Sequence, residues 1–295
     1  MRTPHAWGIT VRKQSGERVT HSDLLERPSD KRKWMGWPVV RGVVTLGYAM
    51  MLGFRALKFS ANVALEEMTG KPSESSKPEE KIEISGWMAT VNIVLSLGFF
   101  IVFYKFLPLL AATGLKHVFP TLGNQILFNI VDGVIRIGLF LLFVWGISLA
   151  NDIHRVYEYH GAEHKTVFAF ETGEPVDVPR AQSFVTWHPR CGTSFLMTVM
   201  LICIVVYSLF PIQTFWGKFA LRIIALPFIA GISYELIRFA AKKRNSLFAL
   251  LTKPGLWLQR ITTQPPSDEQ VVCAISALDA ALELEKQNGG ELVIA

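Results

Sequence analysis

The run Trp87-Met-Ala-Thr-Val-Asn-Ile-Val-Leu-Ser-Leu-Gly-Phe-Phe-Ile-Val-Phe-Tyr104 holds no charged residue over eighteen positions. That is about the length a helix needs to cross the roughly 30 Å hydrocarbon core of a bilayer. It assigns the chain to the all-α integral membrane proteins, and three further apolar segments make about four transmembrane helices. The spans expected are about Gly86 to Leu110, Gln125 to Ala150, Ser194 to Phe215 and Phe219 to Ala240, forming a membrane domain over 86–240. The second carries Asp132 and Arg136, four apart and therefore on one helix face, where they pair toward the bundle interior or near its outer interface. The last carries Arg222 near its start and Glu235 and Arg238 near its end.

Composition agrees with that class. Half of the 295 residues are hydrophobic and 18% are charged, where soluble domains carry about 25%. The formal charge of +6 reads as the basic excess of cytoplasmic loops and not as nucleic-acid binding. The connections 111–124 and 211–218 carry only Lys116 and Lys218. The N-terminal region, the 151–193 loop and the tail beginning Lys242-Lys-Arg244 hold most of the rest. An even number of spans puts these three regions on one side. The expected location is the cell (plasma) membrane, multi-pass, with both termini and the 151–193 loop in the cytoplasm. Membrane lipids are the implied partners, and a homo-oligomer is compatible with the sequence. Cys191, Cys203 and Cys273 form no disulfide framework, and the start of the chain shows no cleavable signal.

Residues 1–37 form a cytoplasmic N-terminal segment, where Trp7-Gly-Ile-Thr-Val-Arg alternates like a strand before the turn Ser15-Gly-Glu17, giving a small β-hairpin. Residues 38–65 are apolar but carry Arg41, Arg55 and Lys58, costly charges at mid-bilayer, so they read as an interfacial or protein-packed amphipathic helix. Residues 66–85 are a linker; within it, 69–81 contain no apolar residue and read as disordered. The cytoplasmic tail 241–295 carries a capping-box start at Ser267-Asp-Glu-Gln270 and an amphipathic helix with Val271, Ile275, Leu278 and Leu282 on one face.

Chemistry concentrates in His160-Gly-Ala-Glu163-His164 and in His188-Pro-Arg-Cys191-Gly-Thr-Ser194. On a helix, His160, Glu163 and His164 share a face. Asn151 to Tyr159 has no Pro or Gly, so the second span is expected to continue as one helix and carry the motif about 15 Å beyond the hydrocarbon. Two imidazoles with an adjacent carboxylate suit a divalent metal, most simply zinc, with His160 and His164 as ligands and Glu163 as general base. The order H-x-x-E-H is also that of the inverted zinc proteases, although so short a match is weak. His188 and Cys191 return to the same membrane face as further ligands. Five candidates serve either a catalytic site with an open position or a closed structural one. A Cys191–His dyad, with the thiol acidified by Arg190 and a helix N-terminus, is a weaker reading. Glu235 reads as an ion pair with Arg238, and Glu171 and Glu174 as a solvated turn. Thr193 or Ser194 is expected to cap the third span.

Four blocks, Tyr159-His-Gly-Ala-Glu-His-Lys-Thr, His188-Pro-Arg-Cys-Gly-Thr-Ser-Phe195, Ala230-Gly-Ile-Ser-Tyr-Glu-Leu-Ile-Arg238 and Pro254-Gly-Leu-Trp-Leu-Gln-Arg-Ile-Thr-Thr263, resemble the YqhQ-like family of bacterial membrane proteins. That family is a domain of unknown function described as metal-dependent, so the resemblance implies a metal and supplies no activity. It also implies a Gly-Gly-Gln…Glu-Gly-Val-Met segment ahead of a Met-Arg pair, where this sequence opens at Met1-Arg2-Thr3-Pro4. The expected function is a metal-dependent, hydrolase-like membrane enzyme with its site on the cytoplasmic face. A scaffold with a structural metal staple is the alternative. A transporter is the weakest reading, because no Gly- or Pro-broken helix pair is visible.

Overall fold

The computed structural model describes residues 1–26, 32–69, 86–189, 191–242 and 253–290. The linker from residue 70, Lys31, Arg190, Lys243, Arg244 and the last five residues lie outside them.

The chain opens with an antiparallel hairpin, β1 (Ala6–Arg12) and β2 (Arg18–Leu24), in the register Trp7↔Asp23 to Arg12↔Arg18. Gly16 supplies the positive φ of its turn. The first helix, α1 (Val40–Thr69), includes four residues that composition placed in the linker. Next, α2 (Gly86–Ile101) passes through a π-helical turn at Val102–Phe106 into α3 (Leu107–Val118). The first expected span is therefore longer than its apolar run, and Pro108, which has no N–H to donate to the preceding turn, follows directly on the π-helical stretch.

The helix α4 (Gln125–Ser148) is followed by α5 (Asn151–Glu171). The single helix expected through the motif is in fact two. Ala150 is extended, with φ −78° and ψ 129°, and α5 leaves the line of α4 to bury Ala162, Ala169 and their neighbours against α6 (Val178–Gln182) and the C-terminal helix. Tertiary burial overrides a locally uninterrupted helical sequence.

The bundle continues with α7 (Gly192–Leu209), then α8 (Phe215–Ile224) and α9 (Leu226–Lys242). The last expected span is this pair, bent by 51° at Ala225. Pro227 has no N–H to bond the carbonyl one turn back, and its ring crowds that turn, so the helix breaks at Ala225 and restarts with Pro227 in its first turn. A broken pair therefore exists, contrary to the argument used against a transporter. The chain ends with α10 (Lys253–Thr262) against α7 and α4, and α11 (Asp268–Gln287) against the hairpin and α5. Ser267 and Gln270 close a reciprocal capping box on α11.

Among the described residues, Val40–Thr69, Thr90–Val118, Gln125–Ser148 and Gly192–Leu209 are each long and apolar enough to cross a membrane, as is the bent pair taken together. The contacts of α1 follow a different course. Arg41 pairs with both carboxylate oxygens of Glu235 on α9, Phe59 stacks on His21 of β2, and Glu67 accepts the N–H groups of Gln14 and Ser15 in the hairpin turn, each at 3.0 Å. All three anchors lie at the end of the bundle that carries α5 and the hairpin. Met50, Phe54, Leu57 and Met68 are exposed along the helix. Glu235 thus pairs with Arg41, not chiefly with Arg238.

The start of α1 rests on a close approach: a Cβ on Gly231 would stand 2.4 Å from the carbonyl oxygen of Val39, whose own φ is 69°. Gly231→Ala should lift α1 from α9 and lower stability by about 1–3 kcal/mol, seen as a lower melting temperature and earlier proteolysis near residue 40. Gly47→Ala, which meets open space, should be neutral or stabilising by up to about 1 kcal/mol.

Candidate metal centre

One turn of α5 separates His160 from His164, and their ring centroids lie 4.4 Å apart. Cys191, arriving on the connection from α6, faces them: His160 Nε2 is 3.2 Å from Cys191 Sγ. One ligand atom from each of the three falls within 4.8 Å of the others.

The opposite edge of each imidazole is fixed. His160 Nδ1 stands 2.8 Å from the Thr262 carbonyl oxygen, and His164 Nδ1 is hydrogen-bonded to the Thr186 carbonyl. A carbonyl only accepts, so both Nδ1 atoms carry the proton. Hydrogen-bonded Nδ1–H and inward Nε2 is the arrangement of metal-binding histidines, whose outer nitrogen is held by a carbonyl or carboxylate. The residues therefore fit a soft or borderline divalent ion, with two nitrogens and one sulfur.

Cys191 is also the N-cap of α7, its sulfur 3.4 Å from the Thr193 N–H and 3.2 Å from Thr193 Oγ1. The cap expected of Thr193 or Ser194 is this cysteine. Burial pushes its thiol pKa up, but hydrogen bonds from His160, His164 and Thr193 outweigh that and bring it to about 5. Burial lowers the His160 pKa, but the hydrogen bond and negative charge of Cys191, the Thr262 carbonyl and Glu163 together outweigh it and leave it raised. Both shifts run in the direction that favours an imidazolium–thiolate form of this hydrogen bond. Arg190, invoked for the same thiol, lies outside the described residues.

The other candidates separate. His188 is buried beside the trio, its ring 5.8 Å from that of His164 and packed edge-on against Phe168, and its Nε2 faces Glu171 at 3.5 Å. It is a neighbour of the three-residue set and not a member. Glu163 is exposed on the adjoining face of α5, where it lines a cavity of about 470 Å³ with Tyr159, Trp7 and Cys273. The common face expected for all three motif residues fails for Glu163, because it and the next residue, His164, diverge by about 100° around the helix. Glu171 ends α5 against His188, while Glu174 pairs with Arg180.

Gln259 escaped the sequence reading. Fully buried on α10, it accepts the His188 N–H at 2.7 Å and donates to the His188 carbonyl at 2.9 Å and to Ser194 Oγ at 2.8 Å. It locks the 188–194 turn to two helices, and its signal was a lone amide inside the Pro254–Thr263 block. Gly161 also acquires a reason: a Cβ there would stand 2.1 Å from Gln264 O and 3.3 Å from Thr186 Cγ2.

Comparison with known proteins gives a family without a chemistry. The family model described as "Protein of unknown function (DUF1385)" matches residues 37–284. The chain is 32% identical over 254 residues to "Uncharacterized protein YqhQ" of Bacillus subtilis (strain 168), covering 84% of this chain and 78% of that protein. No solved structure matches significantly.

Two outcomes are expected. Gly161→Ala should displace the segment that carries the Thr262 carbonyl and weaken metal binding about 10–100-fold while every ligand remains, measured by competition with a chromophoric chelator. In chelator-treated protein, Cys191 alkylation should already have levelled off by pH 6, because its pKa is about 5. An ordinary thiol would keep accelerating toward pH 8.5, and added zinc should block the reaction.

Proposed function

Because the chain belongs to the DUF1385 family, whose function is unknown, we propose from the site itself that it is a multi-pass membrane protein holding a divalent ion, zinc by its donor set, for hydrolase-like chemistry at the cytoplasmic face. One observation carries this reading: both Nδ1 atoms are spent on backbone carbonyls, His160 Nε2 stands 3.2 Å from Cys191 Sγ, and one ligand atom from each of the three residues falls within 4.8 Å of the others. Three protein ligands leave a fourth position, as in catalytic zinc sites. When bound, such an ion supplies Lewis-acid polarisation of a carbonyl or phosphoryl oxygen and lowers the pKa of water.

The chain's own residues do the rest. Thr262 and Thr186 hold the imidazoles in one tautomer, Thr193 holds the sulfur, and Gln259 fixes the turn between them. Two groups are placed to hold a proton. His188, backed by Glu171, adjoins the trio, and Glu163 faces the neighbouring cavity on the other side of α5. His188 is the better base by position and Glu163 by its motif. The staple reading draws on a separate observation: His160, Cys191 and Thr262 tie three distant segments together.

Placement of the site follows from α1. If it lies in the interface plane, the spans are α2–α3, α4, α7 and α8–α9, an even number, and the basic regions share the cytoplasmic side.

Zinc should copurify near one per chain in detergent, fall sharply in His160→Ala, His164→Ala and Cys191→Ser, and survive in His188→Gln and Glu163→Gln. Full retention in a His160→Ala/His164→Ala double variant removes the centre. If the site is catalytic, one of the two metal-loaded glutamine variants should fail to complement the deletion phenotype, since base loss costs about 10²–10⁴ in rate. If both complement fully while His160→Ala only lowers melting temperature and abundance, the centre is a staple. A reporter cysteine at Gly173 should be shielded from periplasmic labelling in intact cells.

A further inference from the structure

Far from that centre, the apolar bundle hides a charge imbalance. Lys105, Asp132, Arg136 and Arg222 are each at most 3% exposed. Asp132 is the one carboxylate on α2, α3, α4, α7 and α8. Its Oδ2 pairs with Arg136 and lies 3.0 Å from Arg222. Three buried cations therefore face one anion. Lys105 donates at 3.4 Å to Tyr207 Oη, and both guanidinium groups lie against the Tyr207 ring, at 5.3 and 5.2 Å from its centroid.

A structural ion pair would use its hydrogen-bonding capacity; this cluster does not. Asp132 Oδ1, Arg136 Nε and Nη1 and Arg222 Nε are buried without a hydrogen-bond partner. Unpaired buried charge is among the costliest features a fold can carry. Two guanidinium forks and an ammonium with an excess charge of two match an oxyanion of charge minus two, which takes several charge-assisted hydrogen bonds at once.

The surrounding backbone is irregular in two places. Lys105 lies in the π-helical turn Val102–Phe106, a rare geometry that gathers at functional sites. Arg222 stands three residues before the break at Ala225 in the bent pair, and broken helices are where membrane bundles build ion and substrate sites. Asp132 is about 10 Å along α4 from Gln125, at the end opposite the metal centre. Lys218, one turn before Arg222 and over the Phe128 ring at 3.7 Å, extends the basic character toward that end.

We propose that Lys105, Arg136 and Arg222, with Asp132 as their partial counter-ion, form an internal site for a doubly charged phosphate group, free or carried as a lipid phosphomonoester. Full-length protein in detergent would be melted against inorganic phosphate, with chloride at matched ionic strength as control. A second arm would use nanodiscs with or without phosphatidic acid, with phosphatidylglycerol as the singly charged comparison. A saturable rise in melting temperature is expected. A response to inorganic phosphate marks a free-anion site, and one confined to phosphatidic acid marks a lipid. Arg222→Gln should weaken the apparent affinity about tenfold or more. Asp132→Asn should tighten it, an outcome opposite to the plain loss of stability a structural ion pair would give, and it carries the assignment if Arg222→Gln does not fold. No saturable response in either arm overturns the site, as does an equal response in Arg136→Gln, Arg222→Gln and the unaltered protein.

Discussion

The close approach of Gln264 to Gly161 is the contact on which the polar end of the molecule depends. A residue with any side chain would push the connection between α10 and α11 away from α5. That connection leaves from Thr262, the last residue of α10, whose carbonyl orients His160, and it runs into the capping box of α11. Thr186, whose carbonyl orients His164, touches the same glycine from the other side. One absent methyl group therefore lets two carbonyls reach two imidazoles, and positions α11 to receive the hairpin. In the motif His-Gly-Ala-Glu-His the glycine is as specific as the histidines.

Much of this was legible in the sequence, for physical reasons that also mark the limits. Period and length carry helix existence well, so the apolar runs, the capping box at Ser267 and the hairpin turn at Gly16 could be read locally. The i, i+4 pairing of the histidines and the return of Cys191 brought the trio within reach. What failed was information held in contacts. Nothing local says that Ala150 is extended, because that bend exists to bury one face of α5 against α6 and α11. Glu163 was assigned by sequence adjacency, and adjacency on a helix is angular displacement. Gln259 could be seen but not assigned, since its partners are a backbone pair 71 residues away. Pro227 was a signal present and not used.

The two ends of the bundle solve opposite electrostatic problems. At one, two imidazoles and an acidified thiol gather donor atoms of the kind that suit a cation. At the other, guanidinium and ammonium groups outnumber the one carboxylate, which calls for an anion. Between them the helices are packed by Phe140, Met197, Met200 and Leu258 on one side and Cys203, Val206 and Ile229 on the other. That low-dielectric layer keeps the ends electrically apart, and each keeps its own preference.

The hydrogen bond from His160 to Thr262 spans 102 residues of chain. A ribosome delivers His160, His164 and Cys191 long before it delivers Thr262. In that interval the three ligand side chains exist together, but His160 lacks the carbonyl that fixes its tautomer. The arrangement of the three is thus incomplete until α10 has followed the bent pair and packed against α7. A chain that ends before Thr262 carries all three side chains and lacks the carbonyl that sets the first of them.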